Sequence, residues 1–199
     1  MANDPQPMGP VRQGVTIGGA LLALVGGPTF ALLMSEIPRE ESGRTVTVTV
    51  SPQTATAVVR HISGRQYLKV YLDMVGVPTA CDGLTGRQIR LGMAFTEQQC
   101  ATMLADSLAD TAAHVMTCTP GLALSVPGRN YVRFAAVSLA HNIGWPTYCR
   151  STMRSQINAG QINAACASLT WFNRAGGHVV RGLADRRARE AVLCRKDAV

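Results

Sequence analysis

Aromatic side chains are scarce, at 5% of the chain. That is a poor basis for the stacking platforms on which single-stranded nucleic acids rest. No helix-turn-helix, zinc-finger or RNA-binding signature is present either, so nucleic acid is not an expected partner. No two cysteines form a C-x-x-C pair, which argues against structural zinc. No metal or cofactor is expected. Acids are few beside bases, with 12 Asp and Glu against 19 Lys and Arg. The net charge of +7 favours anionic partners, among them polymers and membrane surfaces. The bases are scattered except for a cluster from Arg181 to Arg189. Charge is missing altogether from Val15 to Met34.

That uncharged stretch, "VTIGGALLALVGGPTFALLM", is 20 residues long, just enough to span a bilayer as a helix. Arg12 precedes it, and Glu36, Arg39, Glu40 and Glu41 follow, which suits an orientation with the body outside. Its four glycines, one proline and two threonines make its hydrophobicity marginal. A cleaved signal peptide, a permanent anchor and an anchor weak enough to leave the bilayer are the alternatives. The absence of a clean small-residue cleavage site favours an uncleaved anchor. Six dispersed cysteines, Cys81, Cys100, Cys118, Cys149, Cys166 and Cys194, are compatible with three disulfides in an oxidising compartment. Fifteen pairings are open to them.

The chain divides on this reading into an N-terminal signal-anchor segment (1–36), a linker with one short strand (37–57) and a folded domain (58–199). "TVTVTV" at 45–50 alternates strictly and predicts the linker strand. Residues 66–73 and 76–81 read as short strands joined by turns. Thr96 with Gln99 three residues on is a capping box opening a helix to about Met116. The apolar run 131–145 predicts a buried central helix, 147–158 and 161–173 two short helices, and "ADRRAREAVLC" a final helix. A small β region followed by helices is an α+β plan.

Three stretches carry a resemblance. "LKVYLDMVGVPTACDGLTG" (68–86) resembles the catalytic hairpin of the phage-type lysozymes, glycoside hydrolase family 24. "AAVSLAHNIGWPTYCRSTMRSQINAG" (135–160) resembles that family's central helix and its sequel. "WFNRAGGHVVRGLADRRAREAVLC" (171–194) resembles its C-terminal block. Within the family the chain is most similar to endolysins with a signal-anchor-release segment. The resemblance implies a lysozyme-like α+β fold and hydrolysis of the β-1,4 bond between N-acetylmuramic acid and N-acetylglucosamine in peptidoglycan. It also implies a monomer at the inner membrane facing the periplasm, or released there, acting in host cell lysis.

Such hydrolysis needs a general acid for the leaving oxygen and a carboxylate beside the oxocarbenium-like transition state. The resemblance assigns the carboxylate to Asp73 and a water-placing hydroxyl to Thr79. It expects a Glu nine residues before the Asp, where this chain has Gly64 (or Ser63, with one inserted residue). Asp82, on the hairpin itself, and His61 are the candidate replacements. Asp82 can serve only if the strand bends at Gly83. Glu36, Glu40 and Glu41 could fold back, but a long stretch intervenes. A second reading is a lysozyme-fold protein that binds peptidoglycan or another partner without cleaving it.

Overall fold

A computed structural model describes residues 14–198; Arg12 lies outside the described residues. The chain opens with strand β1 (Val15–Gly18), helix α1 (Ala20–Val25) and helix α2 (Gly27–Ser42). No described helix is long and apolar enough to cross a membrane. The expected continuous span is broken instead at Gly19 (φ 113°) and Gly26 (φ 78°), conformations that interrupt a helix and that glycine tolerates best. Its apolar residues face the protein: Leu21, Val25, Phe30, Leu33 and Met34 all belong to the core. The division drawn at residue 36 falls inside α2.

Strands β2 (Thr45–Ser51) and β3 (Thr56–Ser63) form an antiparallel hairpin, and β1 adds to the other edge of β3. The division drawn at 57 falls inside β3, so the expected linker is helix end and sheet. Val46, Ala57 and Val59 point inward, while Thr45, Thr47 and Thr49 are exposed, as period-two alternation requires. A shorter hairpin follows, β4 (Tyr71–Leu72) with β5 (Pro78–Thr79). The expected strands at 66–73 and 76–81 thus pair over only two residues each.

The helical lobe begins at α3 (Glu97–Cys118). Its capping box is formed: Gln99 N–H donates to Thr96 Oγ1 and the Gln99 side chain accepts from the Thr96 N–H. Helix α4 (Asn130–Ile143) is the buried centre and stops at Gly144. Then come α5 (Trp145–Cys149), α6 (Thr152–Asn158), α7 (Ile162–Ser168), the hairpin β6 (Arg174–Ala175) with β7 (His178–Val179), and α8 (Arg181–Cys194). All six cysteines are paired: Cys81–Cys100 ties the β4–β5 region to α3, Cys118–Cys149 ties α3 to α5, and Cys166–Cys194 ties α7 to α8.

Candidate active site

The β4–β5 hairpin turns through Asp73. Its Oδ1 accepts from the N–H groups of Val75 (2.9 Å) and Val77 (2.8 Å), and its own N–H donates to Val77 O (3.0 Å). This side-chain turn fixes the carboxylate's orientation at the start of the loop. Thr79, paired with Tyr71 across the hairpin, is buried and donates through Oγ1 to Val77 O at 3.0 Å. Asp73 and Thr79 therefore share one backbone partner, Val77.

Glu41 reaches the same place from another direction. It sits on the last turn of α2, which ends at Gly43 in the left-handed conformation. Its Oε1 accepts from Arg186 Nη1 of α8 at 2.6 Å, and its side chain is 28% exposed. A methyl group placed on Gly83 would lie 3.2 Å from Glu41 Oε2, so the absence of a side chain there leaves room for the carboxylate. Burial raises the Tyr71 pKa, and the charges of Tyr67, Asp73 and Glu41 push the same way. One phenol thus feels both carboxylates. His141 of α4 is also within the field of Glu41; burial lowers its pKa, Arg186 adds to that, and Glu41 opposes it.

Arg186 is the hub behind Glu41. Its Nε donates to Glu190 Oε1 (3.1 Å), which also accepts from Ser138 Oγ (2.6 Å). Arg187, fully buried, pairs with Glu190 Oε2 at 2.7 Å. Arg189 grips Glu40 with two bonds, of 2.8 and 2.6 Å. The basic cluster of α8 is therefore in part a set of interior struts. Beyond His141, a groove of about 490 Å³ is lined by Asn142, Ile143, Trp171, Phe172, Arg174 and Leu183. Trp171 is 63% exposed there.

The other candidates lie differently. The chain does bend at "CDGLTG", with Cys81 at φ 57°, Gly83 at φ 79° and Ala80 bridged to Leu84. The bend delivers Asp82 to Arg44 rather than to the cleft. Asp82 is 3% exposed; its Oδ1 accepts from Arg44 Nε (3.0 Å) and Ser42 Oγ (2.7 Å), and its Oδ2 pairs with Arg44 Nη2. Donating a proton from there would first require displacing an arginine. His61 lies within β3, opposite Val46. Gly64, at φ 90°, has no room for a side chain: a methyl there would lie 2.6 Å from Gly43 O and 2.8 Å from Arg44 Cα.

A family profile described as phage lysozyme matches residues 63–190. The chain belongs to the phage lysozyme family. It is 35% identical over 133 residues to the SAR-endolysin of Enterobacteria phage P21, covering 67% of this chain and 77% of that protein. It is also 35% identical to the SAR-endolysin of Bacteriophage PS119, covering 67% and 76%. Among solved structures it is similar to an endolysin from Escherichia coli O157:H7 phage FAHEc1 (TM-score 0.57, 26% identity, 65% of this chain and 84% of that one). A mutant of P22 lysozyme is a further structural relative (TM-score 0.55, 28% identity, 64% and 86%). The family match starts at Ser63, the last residue of β3, so Glu41 and the rest of the β2–β3 hairpin precede it.

The sequence reading ranks Glu41, with Glu36 and Glu40, behind Asp82 and His61, because thirty-two positions separate it from Asp73. A signal was present. Ser-Gly-Arg occurs at 42–44 and again at 63–65. In the structure Gly64 packs on Gly43 and Arg44, and Thr45 pairs with Ser63. The hairpin leaves and returns at one point, so it lengthens the chain between Glu41 and Asp73 without carrying them apart.

Proposed function

We infer that this phage lysozyme is an endolysin that hydrolyses the β-1,4 bond between N-acetylmuramic acid and N-acetylglucosamine in peptidoglycan. The observation that carries the assignment of its acid is the approach of Glu41 to the Asp73 hairpin, despite the intervening strands. In this mechanism Glu41 protonates the leaving oxygen, since an alkoxide leaves poorly. Asp73 stabilises the positive charge that develops on the sugar ring, and Thr79 helps place the water. Arg186 positions Glu41, held in turn by Glu190 and Ser138. The groove beyond His141, with its exposed Trp171, receives the glycan strand. Asp82 acts as a structural ion-pair partner of Arg44, and the acid role weighed for it and for His61 passes to Glu41.

The relatives named SAR-endolysin support a two-stage location, with the N-terminal segment first anchored in the inner membrane and then withdrawn onto the body in the periplasm. On this reading the fold described above corresponds to the withdrawn state, and a monomer is the acting form. Turnover of purified peptidoglycan, read as new reducing muramic ends, tests the assignment. Glu41→Gln and Asp73→Asn should each lose most of the parent's turnover while still binding sacculi. Full activity in Glu41→Gln would return the acid to another group. An inert parent would favour the reading as a binding protein.

A further inference from the structure

All of the β2–β3 hairpin except its last residue, Ser63, lies outside the matched family region, and it adds no side chain identified with the chemistry. Its contacts are with the N-terminal segment. Val46, Ala57 and Val59 share the core with Ile17, Leu21, Phe30 and Leu33. Strand β3 is the centre of its sheet, with β2 on one edge and β1 on the other. The β1 pairing runs Val15 to Val59, Thr16 to Val58, Ile17 to Ala57 and Gly18 to Thr56. Gly14 enters so closely that a methyl there would meet Val58 Cγ1 at 2.4 Å. On its far side β1 is held by α3, where Gln98 Nε2 donates to Thr16 O at 2.9 Å. Without β1, that edge of β3 would present unpaired backbone N–H and C=O groups, the kind of edge that accepts an extended strand.

We propose that the β2–β3 hairpin is an intramolecular dock for the N-terminal segment. It captures residues 15–18 as a third strand and so holds the uncharged run on the body rather than in a bilayer. This rests on the anchor-and-release reading above. In a bilayer, residues 15–18 are part of the spanning segment and their backbone groups must be satisfied within it. On the body the same groups pair with β3. The two placements exclude each other, so docking shifts the balance toward release by whatever free energy the added strand contributes.

Two variants of the full chain test this. In the first, Thr45–Ser63 is excised and Arg44 is joined to Gly64, an excision the touching ends of the hairpin permit. Cells are fractionated into membrane and soluble periplasm at intervals after a pulse of synthesis. The excised chain should remain membrane-bound, with its released fraction lower by roughly threefold or more. Release equal to the parent's would overturn the proposal. The second variant carries Thr16→Cys with Val58→Cys. Neighbouring residues across an antiparallel pair lie within disulfide reach. Peptide mapping should find this crosslink in released protein and not in membrane-bound protein. Its absence from released protein, or equal yield in both fractions, would overturn the dock even if the excised chain fails to fold. A parent chain that never enters the membrane fraction would overturn the anchor-and-release reading and the dock with it. A parent that enters and leaves normally beside an unaffected excision variant would overturn the dock alone.

Discussion

At the scale of single residues, two carboxylates near one turn are held differently, and the roles proposed for them follow from what they touch. Glu41 is partly exposed and held by one arginine from behind; Asp82 is buried and gripped on both oxygens. Glu41→Gln should lower kcat by about 10²–10⁴-fold, the usual worth of a general acid, with the melting temperature little changed. Asp82→Asn should leave Arg44 buried without its counter-charge and cost about 3 kcal/mol of stability, read by urea denaturation, with kcat per folded molecule near the parent's. If Asp82→Asn instead abolished turnover in a stably folded protein, the two roles would be reversed. Gly64→Glu tests the position where family spacing would put the acid. It forces a side chain into the backbone of Gly43 and Arg44 at a positive φ, so it should unfold the junction rather than add activity.

At the scale of elements, α8 acts as a brace. Arg186 and Arg189 lie three residues apart and reach the neighbouring Glu41 and Glu40 on the last turn of α2. Arg186→Lys retains a charge but cannot span Glu41, Glu190 and Ser138 together, so kcat should fall with KM nearly unchanged. The disulfides join successive elements across separations of 19, 31 and 28 residues. Loops of that size correspond to about 3 kcal/mol each in the chain-entropy picture. Alkylation should label no thiol in the folded protein and six after reduction; a free thiol in periplasmic material would contradict the pairing. The Thr96 capping box was legible in sequence because it depends on neighbouring residues; the expected central helix ran to Trp145, whereas α4 stops before Gly144. The splitting of Val15–Met34 into β1, α1 and α2 was not, since a uniform apolar run suits a bilayer and a protein core equally.

At the scale of the whole molecule, charge sets two further expectations. Folding lowers the pKa of His141 through burial, so the unfolded chain binds more protons just below its ordinary pKa of 6.5. Stability from keeping this ring neutral is complete above that pH and lost as the pH falls through it. Glu40 adds to the acid limb. Burial alone would raise its pKa, but the hydrogen bond and charge of Arg189 outweigh this and lower it. Its contribution is present above about 4.5, the unfolded value, and lost as pH falls through the lowered folded value. Thermal melts from pH 8 downward should show loss beginning near pH 6.5, and His141→Phe should remove that first limb. The +7 chain should also bind sacculi less as salt rises, because exposed charges are screened within about 10 Å at 0.1 M. Arg186 and Arg187 contribute little there, being buried, and salt-independent binding would count against an electrostatic role.

The sequence by itself determined the family, the α+β plan, the helices α3, α4 and α8, and the turn that carries Asp73 and Thr79. These are encoded in residues close together along the chain: a capping box, a hairpin, an apolar period. It also supplied six cysteines but not their pairing, which depends on which helices meet. Only the tertiary structure shows that Glu41, the acid proposed above, comes close to the hairpin that carries Asp73. Glu41 and Asp73 belong together because a hairpin closes on itself between them, and chain separation carries no information about such a closure. The same packing decided that Asp82 belongs to Arg44, that part of the basic cluster of α8 is interior, and that an uncharged run of membrane length can be one strand and two helices of a folded enzyme.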